Sequence, residues 1–498
     1  MGTSIDKEEF AERDYARFRE RLGQCLSELG WLLKRPGFGT GPATIGAELE
    51  LFLVDDAARP LLRNTDVRTA AADSRVTVEL NRFNLELNAS PTLLAGRPFA
   101  ALGGELSLLL ERVGDAARGY GGRLAVIGIL PTLSLADLHP GVMTDAPRYR
   151  ALNSGLRQLR HDPFHIRIAG ADPIELAMEH VAIEGANTSF QVHLRVDPAD
   201  FTRTYNAVQL ATAPALAASG NSPTFLGHRL WEETRIALCK QSIDDRDGRG
   251  PRRRLSRVAL GTGWLRGGAL ELFTESVRLH QPLLPVLGDH DLPDRVEGRA
   301  PQLDELRLHQ GTVWRWSRAI YDPGAGGHLR IEMRALPAGP TVIDMMANAA
   351  FLIGLSLWLA GQDQQWTYGL SFERADHGFY RAAQHGLAAQ LSWPSGHGGQ
   401  VRTLPAAELV PELLPLAREG LLQAGVAAAE AENLLAVIAA RVASGQTGAV
   451  WQRTTLAAAE RELDRERALA EMLERYLQCA ATGQPVHTWP VGAGGRRS

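Results

Sequence analysis

The sequence predicts an α+β protein. A mainly antiparallel sheet presents one charged face to a cleft, helices cover its other face, and the C-terminal part is mostly helical. Three observations predict this. First, four stretches alternate with period two, so that like residues leave one strand face. Residues 328–334 set Leu329, Ile331 and Met333 against Arg330, Glu332 and Arg334. Residues 47–53 set Leu49, Leu51 and Leu53 against Glu48 and Glu50, and residues 76–88 carry Glu79 and Glu86 among Val78, Leu80, Leu85 and Leu87. Residues 190–196 set Gln191, His193 and Arg195 against Phe190, Val192, Leu194 and Val196. Second, the segments between these strands carry apolar residues at helical spacing. Third, from about residue 376 the helical pattern dominates.

In chain order, residues 6–35 read as an amphipathic helix, with Phe10, Tyr15, Phe18, Leu22, Leu26, Leu29 and Leu33 on one side. The glycines of 37–42 lack the Lys-Ser/Thr of a phosphate-binding loop and receive no phosphate role. The Glu48 strand follows, then a turn at 55–64. The paired strands of 76–88 bend at 81–84. A helix is expected over 99–120, a buried strand over 123–130, a loop over 131–147, a helix over 148–160 and a strand over 164–168. Residues 175–181 fit more than one state. After the Gln191 strand, Asp197 is placed as N-cap with Pro198 at the first helical position of a helix running to Ala218. Residues 220–223 break that helix. The arginine-rich run 244–257 reads as a solvated loop. Gly261-Thr262-Gly263 lacks the third glycine of a dinucleotide fingerprint. Residues 289–302 form a polar, proline-bearing loop, a candidate lid. The strand at 328–335 leads into a helix at 341–361 placed beneath the charged face. Residues 404–442 are rich in Ala and Leu. Residues 454–477 alternate Glu and Arg and read as an exposed helix. The glycine-rich 492–498 reads as a frayed tail. Two units are expected: 1–375 with the charged strands, and a helical 376–498 packed on it.

The whole chain narrows the classes. It has 498 residues, 45% hydrophobic and 22% charged, which is ordinary globular composition. A net charge of -4 argues against general nucleic-acid binding. Cys25, Cys239 and Cys479 form no CxxC pair, so neither a zinc ribbon nor a redox motif is indicated. The mixed, acidic N-terminus does not read as a signal peptide. The most apolar run, 345–360, is shorter than a bilayer span and contains Asn348, so it reads as a buried helix. A soluble, cytoplasmic protein without a membrane partner is expected.

Gathered on one face, Glu48, Glu50, Glu79, Glu86 and Glu332 would repel one another and need cations when ionised. All-oxygen ligation suits a hard ion such as Mg2+, usually shared with a nucleotide's phosphates. Interspersed arginines suit phosphate or carboxylate through their planar fork of donors. The plainer alternative is a solvated sheet face, where Glu and Arg are ordinary. His193 shares the Gln191 face and reads as a structural histidine rather than a ligand.

Five segments in order resemble the glutamate–cysteine ligase family, within the ATP-dependent carboxylate–amine ligases related in fold to glutamine synthetase. Gly46-Ala47-Glu48-Leu49-Glu50 resembles an opening G-x-E-x-E strand. Residues 79–86 are similar to E-x-G-R-[FY]-x-x-E, with Asn81 in the glycine position. Thr188-Ser189-Phe190-Gln191-Val192 resembles the strand with the metal-binding glutamine. Residues 217–223 are similar to an A-N-S/C-P segment, with Gly220 for alanine, and Arg235 lies in a stretch like the arginine-bearing one that follows. Arg330-Ile331-Glu332-Met333-Arg334 resembles R-x-E-[FM]-R. The resemblance covers roughly 45–350.

It implies a curved antiparallel sheet and a catalytic unit at 1–375. It implies ATP-dependent phosphorylation of a glutamate side-chain carboxylate and amide formation with the amine of cysteine, releasing ADP and phosphate, as in glutathione-type thiol synthesis. Glu48, Glu50, Glu79, Glu86, Gln191 and Glu332 would be ligands of Mg2+, with Mn2+ as a possible substitute. Arg334 and Arg330 would act in catalysis and, with Gln191, hold ATP. Arg235 and Asn221 would bind substrate. The amine stays open. A ligase using another amine, a kinase on the same fold and a non-catalytic nucleotide- or amino-acid-binding homologue remain alternatives.

Overall fold

The structure, a computed structural model, describes residues 5, 7–246, 255–292, 299–395 and 400–491. Its centre is a seven-stranded antiparallel sheet: β1 (Thr44–Asp55), β2 (Val76–Val78), β3 (Asn84–Leu93), β4 (Gly122–Ala125), β5 (Phe190–Val196), β6 (Ser317–Asp322) and β7 (His328–Met333). The spatial order is β6-β7-β5-β1-β3-β2, with β4 paired to the far end of β1. β1 is therefore the hub. It pairs with β5 over Ile45–Leu49, with β3 over Thr44–Phe52 and with β4 over Phe52–Asp55. A bulge between Ile45 and Ala47 bends it. Leu49, Leu51, Leu53, Leu85, Leu87, Val192, Leu329 and Ile331 are fully buried, so the apolar half of each alternation is core, as the period requires.

The main helices are α1 (Glu12–Leu32), α2 (Pro98–Arg118), α3 (Phe201–Ala217), α4 (Thr234–Ser242), α5 (Val342–Gly361), α6 (Ala406–Gln423), α7 (Ala428–Ser444), α8 (Gly448–Ala459) and α9 (Arg465–Ala481), and α2, α3 and α5 pack directly on the strands of the sheet. α5 is apolar on nearly every side and packs against α3, α6 and α7. It is the one described helix long and apolar enough to cross a membrane, and 78% of its apolar window is buried inside the protein. Asn348 within it accepts from Arg441 Nη1 at 2.6 Å, and Arg441 pairs with Asp344 at 2.7 Å.

Several boundaries differ from expectation. α1 is shorter than 6–35. The ladder partner of β1 ends at Ala125 rather than Leu130, because the carbonyls of Val126, Ile127 and Gly128 turn away to accept from Tyr476 and Thr188. Asp197 is not the N-cap of α3. Its carbonyl accepts the Asp200 N–H at 3.0 Å, closing a turn first, and the helix starts at Phe201. Residues 175–181 include a strand, Ile174–Met178, paired with Phe164–Ile168. The C-terminal part contains a hairpin, Gln390–Ser395 with Gln400–Pro405. Residues 454–477 are not one exposed helix. The chain breaks before Asp464, whose side chain caps α9 by accepting from Arg467 N at 3.0 Å. Met472, Leu473 and Tyr476 of α9 are buried. Most of the arginine run at 247–254, the middle of the candidate lid at 293–298 and the tail at 492–498 lie outside the described residues.

Candidate active site

Strand register places the charged residues in rows. Arg318 of β6 lies opposite Glu332 of β7, Glu332 opposite His193 of β5, and His193 opposite Gly46 of β1. A second row joins Gln191 to Glu48 and Asn88, and a third joins Glu50 to Glu86 and Thr77. Together they line a cleft of about 650 Å³ that holds Glu48, Glu50, Glu79, Glu86, Gln191, Glu332, Arg330 and Arg334. The four alternating stretches thus converge on one concave face.

The charges on this face are compensated unevenly. Glu332 receives a two-pronged pair from Arg318, at 2.7 and 2.9 Å, and Arg334 Nη1 at 3.0 Å. Burial pushes its carboxyl up, but Arg318, Arg334 and His193 outweigh burial and hold it well below the usual range. Burial also opposes ionisation of Glu48, yet the neighbouring His193 ring overrides it and holds Glu48 at about 2. Glu50 accepts from Ser189 N at 2.7 Å, Ser189 Oγ at 3.0 Å and Gln191 Nε2 at 2.8 Å, and burial still leaves its pKa raised. Glu79 lies just past β2. Burial first, then Glu86, Glu50 and Glu184, push it well above the ordinary value. Burial and the charges of Glu48 and Glu50 push Glu86 to about 7. No guanidinium or ammonium pairs with Glu79, Glu86 or Glu184 among the described residues.

Sequence reasoning missed Glu184 and Arg318. Glu184 sits on a short 3-10 turn, Val181–Ala186, that carries no strand or helix period, and burial with Glu50 raises it to about 7. Arg318 lies on β6, where Ile320 interrupts the charged side of the alternation. Its spacing from Asp322 on a period of two was the available signal. His193 stands among the acids. Its Nε2 is 3.2 Å from Glu48 and 3.8 Å from Glu332. Arg330 bridges His193 Nδ1 at 3.1 Å and Asp322 at 2.6 Å.

Arg235 and Asn221 are placed differently from the other sequence-derived candidates. Neither lines the cleft wall. Arg235 is buried, pairs with Glu233 at 3.1 Å and donates to the carbonyls of Arg334 and Ala335. Asn221 is fully buried and bonded to Ala338, Glu233, Tyr476 and Gln452. The 37–42 loop is tied to the sheet by Arg195, which donates to the carbonyls of Gly39 and Thr40.

The donor set fits a hard divalent cation. Glu48, His193 and Glu332 each offer one ligand atom within 4.8 Å of the others. His193 Nδ1 accepts from Arg330 Nε, so in the neutral ring the proton sits on Nε2, between Glu48 and Glu332, where a bound cation would take its place. Glu50, Glu86 and Gln191 supply further oxygen atoms on the adjoining rows, consistent with Mg2+ or Mn2+.

In fold, the chain is similar to a glutamate–cysteine ligase of Francisella tularensis, solved in complex with AMP. The TM-score is 0.56 and the identity 11%, with 89% of each chain covered. A bifunctional glutathione synthetase from Pasteurella multocida gives a TM-score of 0.45 at 13% identity, covering 92% of this chain and 55% of that one. The ligase of a prokaryotic ubiquitin-like protein gives 0.41 at 10% identity, covering 86% of this chain and 71% of that one. Among curated proteins no significant sequence match is found. The model of glutamate-cysteine ligase family 2 matches residues 44–474, a span that includes every strand of the acid-lined sheet. The chain belongs to glutamate-cysteine ligase family 2.

Proposed function

We propose that the protein is an ATP-dependent carboxylate–amine ligase that joins the side-chain carboxylate of glutamate to the amine of cysteine and releases ADP and phosphate. The observation that carries this reading is the convergence of Glu48, Glu50, Glu79, Glu86, Gln191, Glu332 and Arg334 on one cleft within a chain of this family. Residues 1–375 carry the chemistry, 376–498 pack on them, and the enzyme works as a soluble cytoplasmic protein.

The acids and His193 would hold Mg2+, which would supply positive charge against the triphosphate when bound. Arg334 leaves the same strand face as Glu332 and presents its guanidinium to the γ-phosphate, with Arg330 beside it. A carboxylate oxygen of glutamate attacks the γ-phosphorus, the bond to the bridging oxygen breaks, and ADP leaves with that electron pair. The amine then attacks the acyl carbon of the mixed anhydride. Phosphate leaves, the amide forms and the amine proton is released. Charge spreads over the transferred group in the transition state, so fixed guanidinium donors contribute most there. Arg235 and Asn221 act behind the cleft rather than on the substrate.

Assaying nucleotide and phosphate release with glutamate and a panel of amines tests this. ADP and phosphate should appear only with an amine present, fastest with cysteine, and should require Mg2+ or Mn2+. AMP with pyrophosphate would overturn the mechanism. Phosphorylated product without an amine would make the protein a kinase.

A further inference from the structure

A buried polar chain runs behind β7, from the C-terminal helices to the backbone of Arg334. Gln452 of α8 donates from Nε2 to Asn221 Oδ1 at 2.8 Å and to its carbonyl at 3.0 Å. Asn221 Nδ2 donates to Tyr476 Oη of α9 at 2.9 Å and to the Ala338 carbonyl at 2.7 Å. The Asn221 N–H donates to Glu233 Oε2 at 2.8 Å. Glu233 Oε1 accepts from Ser222 Oγ at 2.6 Å and Arg235 Nε at 3.1 Å. Arg235 donates onward to the Ala335 carbonyl and to the Arg334 carbonyl, the latter at 3.5 Å. Its guanidinium lies 5.7 Å from the Trp316 ring centre, and the Trp316 carbonyl accepts the Arg334 N–H at 2.9 Å. The backbone of Arg334 is therefore held on both sides.

Two features mark this chain as more than packing. Asn221, Glu233, Gln452 and Tyr476 are fully buried and Arg235 is 2% exposed, so each polar group has given up water and depends on its partner. The helices also press on the chain at a glycine. A Cβ on Gly448, the first residue of α8, would stand 2.1 Å from Asn221 Oδ1. That contact sets Asn221 with little slack.

We propose that Gln452, Tyr476, Asn221, Glu233 and Arg235 are positioning residues through which the C-terminal helices fix Arg334 in the cleft. The proposal rests on the ligase reading of Arg334. A guanidinium displaced by about an ångström from the transferring phosphoryl group loses much of its effect on the transition state. The helices thereby contribute to rate without touching substrate.

The test is a set of double-mutant cycles with amine-dependent phosphate release as readout. Arg235→Met, Gln452→Met and Tyr476→Phe are each made alone and with Arg334→Lys. Tyr476→Phe and Gln452→Met keep side-chain volume, and circular dichroism selects the variants that fold. Each single variant should lower kcat by about tenfold with the ATP KM within about threefold. Arg235→Lys should recover part of the loss. In the Arg334→Lys background the same changes should cost less than about twofold, because the group they position is already lost. Equal losses in both backgrounds, a loss confined to KM, or wild-type rates in the folded variants would overturn the proposal and leave the ligase reading standing. If wild-type protein releases no phosphate with any amine, the ligase reading fails and the proposal falls with it.

Discussion

Arg334 binds two partners in the cleft at once: Nη1 donates to Gln191 Oε1 and, at 3.0 Å, to Glu332 Oε2. A lysine there keeps the charge but cannot span both partners and a phosphate. Arg334→Lys should lower kcat by about a hundredfold while the ATP KM changes much less, because the fork matters most where charge spreads over the equatorial oxygens. Steady-state kinetics checks this. A change confined to KM would assign the arginine to ground-state nucleotide binding. Glu86 offers a second residue-scale test. Its ionisation is opposed by burial and by Glu48 and Glu50, so Glu86→Gln removes repulsion as well as a ligand. Turnover should fall sharply, and the Tm measured in EDTA should hold or rise. Unchanged turnover would place Glu86 outside the working set.

At the scale of elements, the acid-lined sheet makes stability depend on pH in a definite direction. Glu79, Glu86 and Glu184 have folded pKa values raised above the unfolded value of about 4.3, with Glu86 and Glu184 at about 7. The folded state then holds more protons than the unfolded chain between those values. The stability these three acids contribute is full below the unfolded pKa and declines as pH rises through about 7. In EDTA the Tm should therefore rise as pH falls from 8 to about 5.5, and Mg2+ should flatten that slope. A metal-free Tm that rises with pH would show that these acids are paired when the protein is folded. The strands that build this surface were legible because their polar and apolar residues separate cleanly with period two. β6 was less legible, since Ile320 shares the charged side with Arg318 and Asp322. Glu184 could not be read at all, because only tertiary packing brings its turn against β1. The inward stripe of α9, Leu469, Met472, Leu473 and Tyr476, is present in the sequence at helical spacing but was masked by alternating Glu and Arg. Arg235 was placed by its motif. Local pattern could not reveal that Glu233, two residues earlier, would claim its guanidinium.

For the whole molecule, one contiguous apolar core runs from Ile5 to Trp489. The C-terminal helices share it through α5, so residues 376–498 should not unfold separately from the sheet. Trp451, Tyr476 and Trp489 form an edge-to-face cluster with ring centres 5.2 to 6.0 Å apart, and its tryptophans would report the C-terminal part by fluorescence in a variant whose other tryptophans are replaced by Phe. Its urea transition should coincide with the far-UV circular dichroism transition. Two resolved transitions would divide the chain into independent units. The sheet order also has a consequence for translation. The acids of β1 and β3 leave the ribosome early, whereas β6 and β7, which bring Arg318, Arg330 and Arg334, come last. At about 5–20 residues per second, the wait between Glu48 and Arg334 is about 15–60 s. During that time β5 has no β7 to pair with, and the glutamates have no arginines from β6 and β7. Glu332 and Asp322 emerge together with the arginines that pair with them, whereas the acids of β1 and β3 wait, so the sheet closes only after most of the polypeptide has been made.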